Sequence, residues 1–333
     1  MKERGDKKVA EIENDILVIK NREDEKLNGR KGALVKVLGC GLCGSDIVKL
    51  TQHRAKQGTV LGHEIVAFIT DINSDTNFKV GDTIITSHHI PCGKCEYCKN
   101  GNVSMCRHFK ETNIFPGGFS EYVFVSEEHL RNVAYLKPKN LTNDEVAFYE
   151  PLGCCIRAVK RAGLRQNSTA LVVGLGSIGI LMAQALKAFG MNVIGCDLIT
   201  SRVDLLKNLG IEAFKVTEMC DSIKADGVFM TSGSDKAIPT ALKYVRDGGK
   251  ILVFSSTPQN FGYANNEIYY RELTVLGSYS PSPADLKDSF ELLKNKDVKV
   301  SGLSTEYNLE NVQKAINDTL DNKILKAYIK IAN

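Results

Sequence analysis

The sequence predicts an α/β protein with two domains, one rich in short β-strands and the other a doubly wound parallel sheet. The chain of 333 residues is longer than a single hydrophobic core usually supports, so two domains are expected. Up to about residue 138 short strands are broken by turns, whereas beyond residue 143 apolar strands alternate with helices. Such alternation is typical of a parallel sheet covered by helices on both faces.

The individual elements follow from hydrophobic periodicity and from turns rich in glycine, asparagine and aspartate. In the β-rich part, strands are predicted at 33–38, 65–69, 83–86 and 122–125. In the α/β part, strands are predicted at 170–173, 192–197, 227–230 and 250–254, and helices at 178–189, 202–209 and 237–245. The tail from about residue 283 returns to a mixture of helix and short strand.

The composition indicates a soluble globular protein and excludes several classes of partner. Lys and Arg number 43 against 39 Asp and Glu, and the net charge of +4 gives no sign of a nucleic-acid surface. No apolar run reaches the roughly 18 residues that span a bilayer. Residues 1–13 are polar and charged, unlike a signal peptide. We therefore expect a cytoplasmic protein with no nucleic-acid or membrane partner.

A glycine-rich turn between a predicted strand and a predicted helix indicates a dinucleotide-binding site. Residues 174–179 read G-L-G-S-I-G, the G-x-G-x-x-G pattern. The first glycine permits the tight turn, the second lets a pyrophosphate approach the backbone, and the third lets helix and strand pack closely. The helix N-terminus offers free N–H groups to the phosphates. The predicted cofactor-binding residues of this turn are Gly174, Leu175, Gly176, Ser177, Ile178 and Gly179.

Asp197, at the end of the next predicted strand, indicates which dinucleotide is bound. A carboxylate there accepts hydrogen bonds from the adenosine ribose hydroxyls and repels a 2′-phosphate, so NAD is favoured over NADP. Arg202 is the counter-argument, because it could meet a phosphate, although it could equally lie along the adenine or the pyrophosphate. In a simpler alternative, Asp197 only caps a loop.

A single short loop contains four of the ten cysteines, namely Cys92, Cys95, Cys98 and Cys106. Short C-x-x-C steps fold the backbone around a metal, and a structural zinc prefers a closed tetrahedron of this kind. Without an export signal, a reducing compartment favours thiols over disulfides. The sequence therefore predicts a structural zinc with no opening for substrate. The alternatives are free or disulfide-paired cysteines and an iron–sulfur cluster.

A second, more dispersed group of side chains could form an open zinc site. Cys43 offers a thiolate, His63 and Glu64 offer an imidazole and a carboxylate, and Glu150 offers another carboxylate. Three protein ligands plus one water or substrate let zinc act as a Lewis acid on an alcohol or carbonyl oxygen. Each residue also has an ordinary explanation, as a buried thiol, a core imidazole or an acid at the start of a helix.

These motifs, in their order along essentially the whole chain, resemble the zinc-containing medium-chain alcohol and polyol dehydrogenase family. The resemblance rests on G-L-C-G-S-D at 41–46, G-H-E at 62–64, the four-cysteine loop, P-G-G-F-S-E-Y at 116–122, E-P-L at 150–152 and G-L-G-S-I-G at 174–179. It implies a GroES-like catalytic domain with an inserted Rossmann NAD-binding domain and an active site in the cleft. The implied bounds are 1–148 and 285–333 for the catalytic domain and 149–284 for the Rossmann domain.

The resemblance also assigns roles to the dispersed residues. It makes Cys43 and His63 catalytic zinc ligands, and Glu64 and Glu150 the carboxylates that bind zinc directly or through its water. The glutamate at position 150 stands where alcohol dehydrogenases carry a cysteine. In having a glutamate at this position, the sequence is similar to the sorbitol and threonine dehydrogenase branch.

Two neighbours of Cys43 match further members of the family's site. Ser45 matches the hydroxyl that binds the substrate oxygen and begins the proton relay, and Asp46 matches the carboxylate that orients the zinc-bound histidine. Val48, however, stands where many relatives have the histidine that passes the proton to solvent. The histidines that could offer another route are His53, His88 and His89.

The predicted function is the reversible, NAD-dependent oxidation of a secondary alcohol, a polyol or sugar alcohol, with one catalytic and one structural zinc. The alternatives are a simple alcohol or L-threonine dehydrogenase and, in a different class, a non-catalytic zinc- and dinucleotide-binding protein. The resemblance further implies a homo-oligomer, a dimer or tetramer joined by edge strands, with residues 275–279 as the candidate segment.

Overall fold

The computed structural model describes residues 7–23, 25–255 and 265–332. The chain forms two compact units. The first comprises Met1–Glu150, Ser282–Lys294 and Val300–Asn333, and the second comprises Pro151–Pro281 and Asn295–Lys299. The second unit is thus largely inserted into the sequence of the first.

Strands and helices are numbered here in chain order. The strands are β1 (Lys7–Glu13), β2 (Ile16–Arg22), β3 (Gly32–Gly41), β4 (Glu64–Asn73), β5 (Thr83–Thr86), β6 (Tyr122–Ser126), β7 (Tyr135–Leu136), β8 (Thr169–Val173), β9 (Asn192–Asp197), β10 (Glu212–Lys215), β11 (Ala225–Met230), β12 (Val245–Val253), β13 (Thr274–Gly277), β14 (Thr305–Asn308) and β15 (Ala327–Lys330). The helices are α1 (Gly44–Thr51), α2 (Glu96–Lys99), α3 (Arg107–Glu111), α4 (Glu127–Asn132), α5 (Asn143–Val146), α6 (Tyr149–Ala162), α7 (Ser177–Ala188), α8 (Thr200–Asn208), α9 (Ala237–Tyr244), α10 (Asn265–Tyr270), α11 (Pro283–Lys294) and α12 (Val312–Leu320). Among the residues that the structure describes, no helix is both long and apolar enough to cross a membrane.

The first unit is built on a sheet in the order β14-β15-β3-β4-β5-β7, with β6 also paired to β3. The pairs are antiparallel except β14 with β15. The four strands predicted in this region lie within observed strands and are confirmed. Their buried apolar side chains form a common core, whose removal from water favours folding. It includes Val35, Val37, Ile65, Ile69, Ile84 and Val123.

A two-stranded hairpin of β1 and β2 precedes this sheet, and the predicted elements do not include it. Glu13 pairs with Ile16, so Asn14 and Asp15 alone form the turn. Both turn residues have a positive φ, 50° and 63°. Asparagine and aspartate tolerate this conformation better than other residues with a side chain. The turn signal was therefore present in the sequence.

The second unit contains a six-stranded parallel sheet in the order β10-β9-β8-β11-β12-β13. This confirms the predicted doubly wound sheet, and the predicted helices agree with α7, α8 and α9 to within a residue or two. Strand order reverses at β8, since β9 and β10 lie on one side of it and β11 to β13 on the other. Ligands of such sheets bind at the carboxyl ends of strands beside this switch point. The glycine-rich turn follows β8 directly.

Candidate active site

The four predicted cysteines come together around one point. The ligand atoms of Cys92, Cys95, Cys98 and Cys106 all lie within 4.8 Å of one another. The sulfur of Cys98 is 3.5 Å from that of Cys95 and 4.0 Å from that of Cys92. A zinc tetrahedron with Zn–S bonds of about 2.3 Å requires sulfur separations of roughly 3.8 Å. The loop therefore fits a structural zinc with four protein ligands.

Backbone geometry and hydrogen bonds prepare this loop for a cation. Gly93 and Gly101 have φ values of 71° and 76°, a conformation that glycine adopts without strain. Burial opposes ionisation of Cys106, but backbone N–H groups of Cys92 and Phe109 lower the pKa of its thiol to about 6. The thiolate of Cys106, which is the form that binds zinc, is thereby favoured.

The dispersed candidates also converge, and His63 lies at their centre. Cys43 is the residue before α1, and His63 is the residue before β4. The sulfur of Cys43, a ring nitrogen of His63 and a carboxylate oxygen of Glu64 lie within 4.8 Å of one another. Burial opposes protonation of His63, but Asp46 and Cys43 raise the pKa of its imidazole well above the usual value. The site therefore favours positive charge at this point, as a metal centre requires.

Asp46 has the geometry predicted for a residue that orients the histidine. Its side chain is fully buried, and Oδ1 lies 3.4 Å from Nδ1 of His63. The backbone N–H of Cys43 donates to Oδ2 at 3.3 Å. Because Nδ1 faces this carboxylate, Nε2 is the ring nitrogen left for a metal, an arrangement common among zinc-bound histidines.

Glu150 reaches the same histidine together with a residue that the sequence suggested only as a proton-relay candidate. Ligand atoms of His63, His88 and Glu150 lie within 4.8 Å of one another. The ring centroids of His63 and His88 are 4.4 Å apart. Burial and His63 lower the pKa of His88 well below its usual value, so its imidazole is neutral. Among the described residues, Nδ1 of His88 has no hydrogen-bond partner.

A buried lysine that the sequence reasoning missed contacts Glu64. The Nζ atom of Lys326 lies 2.6 Å from Oε2 of Glu64 and donates to the carbonyl oxygen of Leu42 at 3.1 Å. Burial opposes its charge, but Glu64 and Cys43 raise the pKa of the lysine. No local pattern marks this residue, because it reaches the site only through the pairing of β15 with β3.

The other candidate residues of the relay and substrate site are placed as follows. Ser45 is an exposed residue in the first turn of α1, and Val48 is half-buried on the same helix. Nδ1 of His53 lies 2.7 Å from a carboxylate oxygen of Asp15, and the histidine is largely exposed. His89 contacts the carbonyl oxygen of Thr112, and burial lowers the pKa of its imidazole to about 4.

The glycine-rich turn has the geometry that its pattern predicted. Gly174 has a φ of 96°. A Cβ atom on Gly179 would lie 1.9 Å from the carbonyl oxygen of Gly174, so helix and strand are packed too closely for a side chain. Gly176 precedes α7, and a Cβ there would meet no atom within 4 Å. The space beside Gly176 is therefore open to a ligand, and Ser177 and Ile178 begin the helix.

Asp197 is buried and turned toward this loop. Its Oδ2 accepts the backbone N–H of Leu175 at 2.6 Å, and its Oδ1 accepts that of Ile199 at 2.9 Å. Asp197 thus does cap the loop, as the simpler alternative expected. Each carboxylate oxygen has a further acceptor position, so capping and ribose binding are compatible. Arg202 lies 3.7 Å from Oδ2.

Comparison with known proteins places these features in one family. Two family models match, "Alcohol dehydrogenase GroES-like domain" over residues 29–135 and "Zinc-binding dehydrogenase" over residues 177–295. A sorbitol dehydrogenase of Halalkalibacterium halodurans is 30% identical over 326 residues, covering 92% of this chain and 93% of the relative. The chain belongs to the zinc-dependent medium-chain dehydrogenase/reductase family. This confirms the predicted family, its GroES-like and Rossmann fold class, and its class of enzyme, a zinc-type oxidoreductase.

Two further relatives of this dehydrogenase agree with the assignment. D-xylulose reductase A of Aspergillus niger is 28% identical over 333 residues, covering 93% of this chain and 92% of the relative. A zinc-binding dehydrogenase from Sinorhizobium meliloti 1021, solved with NADP, has a TM-score of 0.86 at 23% identity, and the match covers 98% of this chain and all of that one. At that identity the structure supports the fold alone.

Proposed function

We propose that this dehydrogenase oxidises a secondary alcohol of a polyol or sugar alcohol to a ketone with NAD, and runs in reverse with NADH. The observation that carries the proposal is the convergence of Cys43, His63, Glu64 and Glu150 around one imidazole. The relatives named a sorbitol dehydrogenase and a D-xylulose reductase support the polyol substrate class. Glu150, where the alcohol dehydrogenases carry a cysteine, supports the same branch.

The protein's own side chains hold and orient a catalytic zinc. Cys43 and His63 bind it, and Glu64 or Glu150 completes the protein ligands, while Asp46 fixes the imidazole through Nδ1. When bound, zinc polarises the substrate oxygen and lowers the pKa of the substrate hydroxyl. A second zinc is held by the four cysteines of the separate loop and stabilises the fold.

The reaction removes a hydride from the carbinol carbon and a proton from its hydroxyl, giving a ketone, NADH and a free proton. The hydroxyl of Ser45 accepts the substrate proton as it gives up its own to the next group of the relay. Since Val48 cannot pass a proton on, His88 is the candidate for the next step, because its ring centroid lies 4.4 Å from that of His63. His53 is less suited because it is paired with Asp15.

The glycine-rich turn holds the pyrophosphate of the dinucleotide. Leu175, Ser177 and Ile178 contribute backbone around it, and the open space at Gly176 supports its close approach. Asp197 accepts the adenosine ribose hydroxyls and selects NAD. Arg202 lies 3.7 Å from Asp197 and offsets part of its negative charge. Because an arginine can also bind a 2′-phosphate, NADP is the alternative cofactor.

The proposal includes the organisation of the whole enzyme. Residues 1–148 and 285–333 form the catalytic domain, and residues 149–284 form the NAD-binding domain. A homo-oligomer, dimer or tetramer, would join copies through β13, the edge strand of the second sheet, whose neighbour Tyr279 is 62% exposed. A cytoplasmic location is also proposed, because a reducing compartment keeps cysteine thiols free to bind a metal.

The test is turnover on a substrate panel. The purified zinc protein is followed by NADH absorbance with polyols, simple alcohols and L-threonine, beside the variants Cys43→Ser and Cys220→Ser. We expect oxidation of polyols that is lost in Cys43→Ser and retained in Cys220→Ser, since Cys220 is exposed and outside both metal groups. Turnover only on L-threonine or a simple alcohol would replace the substrate class. A protein with one zinc per chain and no turnover would favour a binding role.

A further inference from the structure

His63 lies between two anchored stretches of chain in the first unit. On its N-terminal side, the carbonyl oxygen of Gly62 accepts the backbone N–H of Gly118 at 2.8 Å. The carbonyl oxygen of Leu61 accepts that of Phe119 at 2.9 Å. On its C-terminal side, β4 begins and pairs with β3. The direction in which the imidazole leaves the backbone therefore depends on the turn at Gly62, whose φ of 86° is one that glycine adopts without strain.

The side chain of Cys40 is packed at the corner where these two stretches meet. In the pairing of β3 with β4, Cys40 lies directly opposite Ile65. A Cβ atom added to Gly62 would lie 3.0 Å from the sulfur of Cys40, and one added to Gly118 would lie 2.7 Å from it. Favourable contacts between non-bonded carbon atoms are about 3.5–4.0 Å. The sulfur therefore occupies space that a side chain at either glycine would need.

Cys40 is suited to packing rather than to binding the metal. It is fully buried, and burial, with the nearby carboxylates of Glu64 and Asp46, raises the pKa of its thiol well above the usual value. It belongs to none of the metal-ligand groups found among the described residues. A buried neutral cysteine behaves as a small apolar side chain. Because a protein core is closely packed, its size and shape set the spacing of the backbone around it.

We propose that Cys40 is a positioning residue for His63, because its sulfur fixes the turn at Gly62 that presents Nε2 to the catalytic metal. The inference rests on the proposed metal site at Cys43 and His63. Asp46 holds the imidazole through Nδ1 from α1, so it orients the ring and not the backbone. A larger side chain at position 40 would push the turn away, and a smaller one would leave the turn room to move inward.

The test uses cobalt in place of the catalytic zinc, because the visible absorption bands of Co²⁺ change with the geometry of its ligands. The bands and the cobalt affinity are measured in the wild type, Cys40→Val and Cys40→Ala, and zinc retained by the four-cysteine loop is the control for folding. We expect both variants to shift the bands, and Cys40→Val to weaken cobalt binding about tenfold or more, as changes behind a metal ligand do. Cys40→Ala adds no atom to the core, so it keeps the test open if Cys40→Val does not fold.

Two further variants separate positioning from general stability. Cys40→Ser keeps a side chain of nearly the same shape and should retain the wild-type bands. Val37→Ala leaves a cavity in the same core, because Val37 is fully buried on the same strand. It should lower the unfolding midpoint at least as much as Cys40→Ala does and leave the cobalt bands unchanged.

Wild-type bands in a folded Cys40→Val or Cys40→Ala protein, or bands shifted equally by Val37→Ala, would overturn the inference and leave the proposed function standing. A wild-type protein that binds no cobalt at Cys43 and His63 would overturn both. Absence of polyol turnover in a wild type that shows the expected cobalt pattern would instead overturn the substrate class alone.

Discussion

Replacing Gly179 by alanine tests whether the glycine-rich turn depends on close packing. The added methyl would lie 1.9 Å from the carbonyl oxygen of Gly174 and 3.0 Å from the hydroxyl of Thr231. Because the obstacle is backbone, α7 or the turn must move by about 1 Å, at the upper end of the roughly 1–3 kcal/mol that overpacking costs. Alanine regains at most about 1 kcal/mol in helix propensity. We therefore expect a net loss of about 2 kcal/mol of unfolding free energy.

The measurement is the unfolding midpoint, compared with that of Gly176→Ala. For a unit of this size, 1 kcal/mol moves the midpoint by about 2–4 °C, so Gly179→Ala should unfold about 4–8 °C lower. Gly176 has a φ of −66°, and a Cβ there would meet no atom within 4 Å, so its midpoint should stay unchanged. Its methyl would instead stand in the path of the pyrophosphate and weaken NADH binding by about tenfold or more.

These two variants refute different parts of the reasoning. Wild-type stability in Gly179→Ala would show that helix and strand are not in close contact at the turn. Wild-type affinity for NADH in Gly176→Ala, measured by fluorescence titration, would show that the pyrophosphate does not lie there.

Three further predictions concern the cofactor, the structural metal and acid stability. Asp197→Ala should raise the KM for NAD about tenfold more than that for NADP, because a charged acceptor for the ribose is lost and the repulsion of a 2′-phosphate is lost with it; equal effects on both would contradict the assignment. Cys98→Ser should lose one zinc per chain by elemental analysis, whereas Cys220→Ser should lose none; retention of full zinc by Cys98→Ser would exclude a four-thiolate site. Hydrogen bonds from Lys314 and Tyr307 lower the pKa of Asp318 to about 2 from an ordinary value of 3.8. A carboxyl group whose pKa is lower in the folded than in the unfolded state stabilises the fold at pH values above its unfolded-state pKa. This stabilisation is lost as the pH falls from about 4 toward 2. Between about pH 4 and pH 2 the urea midpoint of Asp318→Asn should therefore fall less than that of the wild type. Plots of midpoint against pH that run parallel for the two proteins would contradict this.

The parts of the site that the sequence predicts well are those encoded by local spacing. The four cysteines and the turn at 174–179 act through short stretches of backbone, so their geometry follows from residues close together in the chain. The hairpin at Asn14 and Asp15 carried the same kind of local signal, although the predicted elements did not use it.

Contacts that depend on pairing between distant strands leave no local signal in the sequence. Lys326 reaches Glu64 because β15 pairs with β3, which joins residues nearly the whole chain apart. His88 was suggested only as one of three histidines that could pass a proton on, and its closeness to His63 depends on the packing of separate strands. A lysine before a strand or a histidine after one looks ordinary until the pairing is known.

The division of the chain into nested units also sets an order of events during synthesis. The edge of β3 at residues 39–41 emerges from the ribosome well before β15, its partner there. All of the second unit is translated in between. That unit can complete its parallel sheet while the first still lacks a strand, and domains generally fold as units as they emerge. The candidate metal ligands Cys43, His63 and Glu64 are therefore made beside a strand edge that is still unpaired, and Lys326 follows them only after more than 250 further residues.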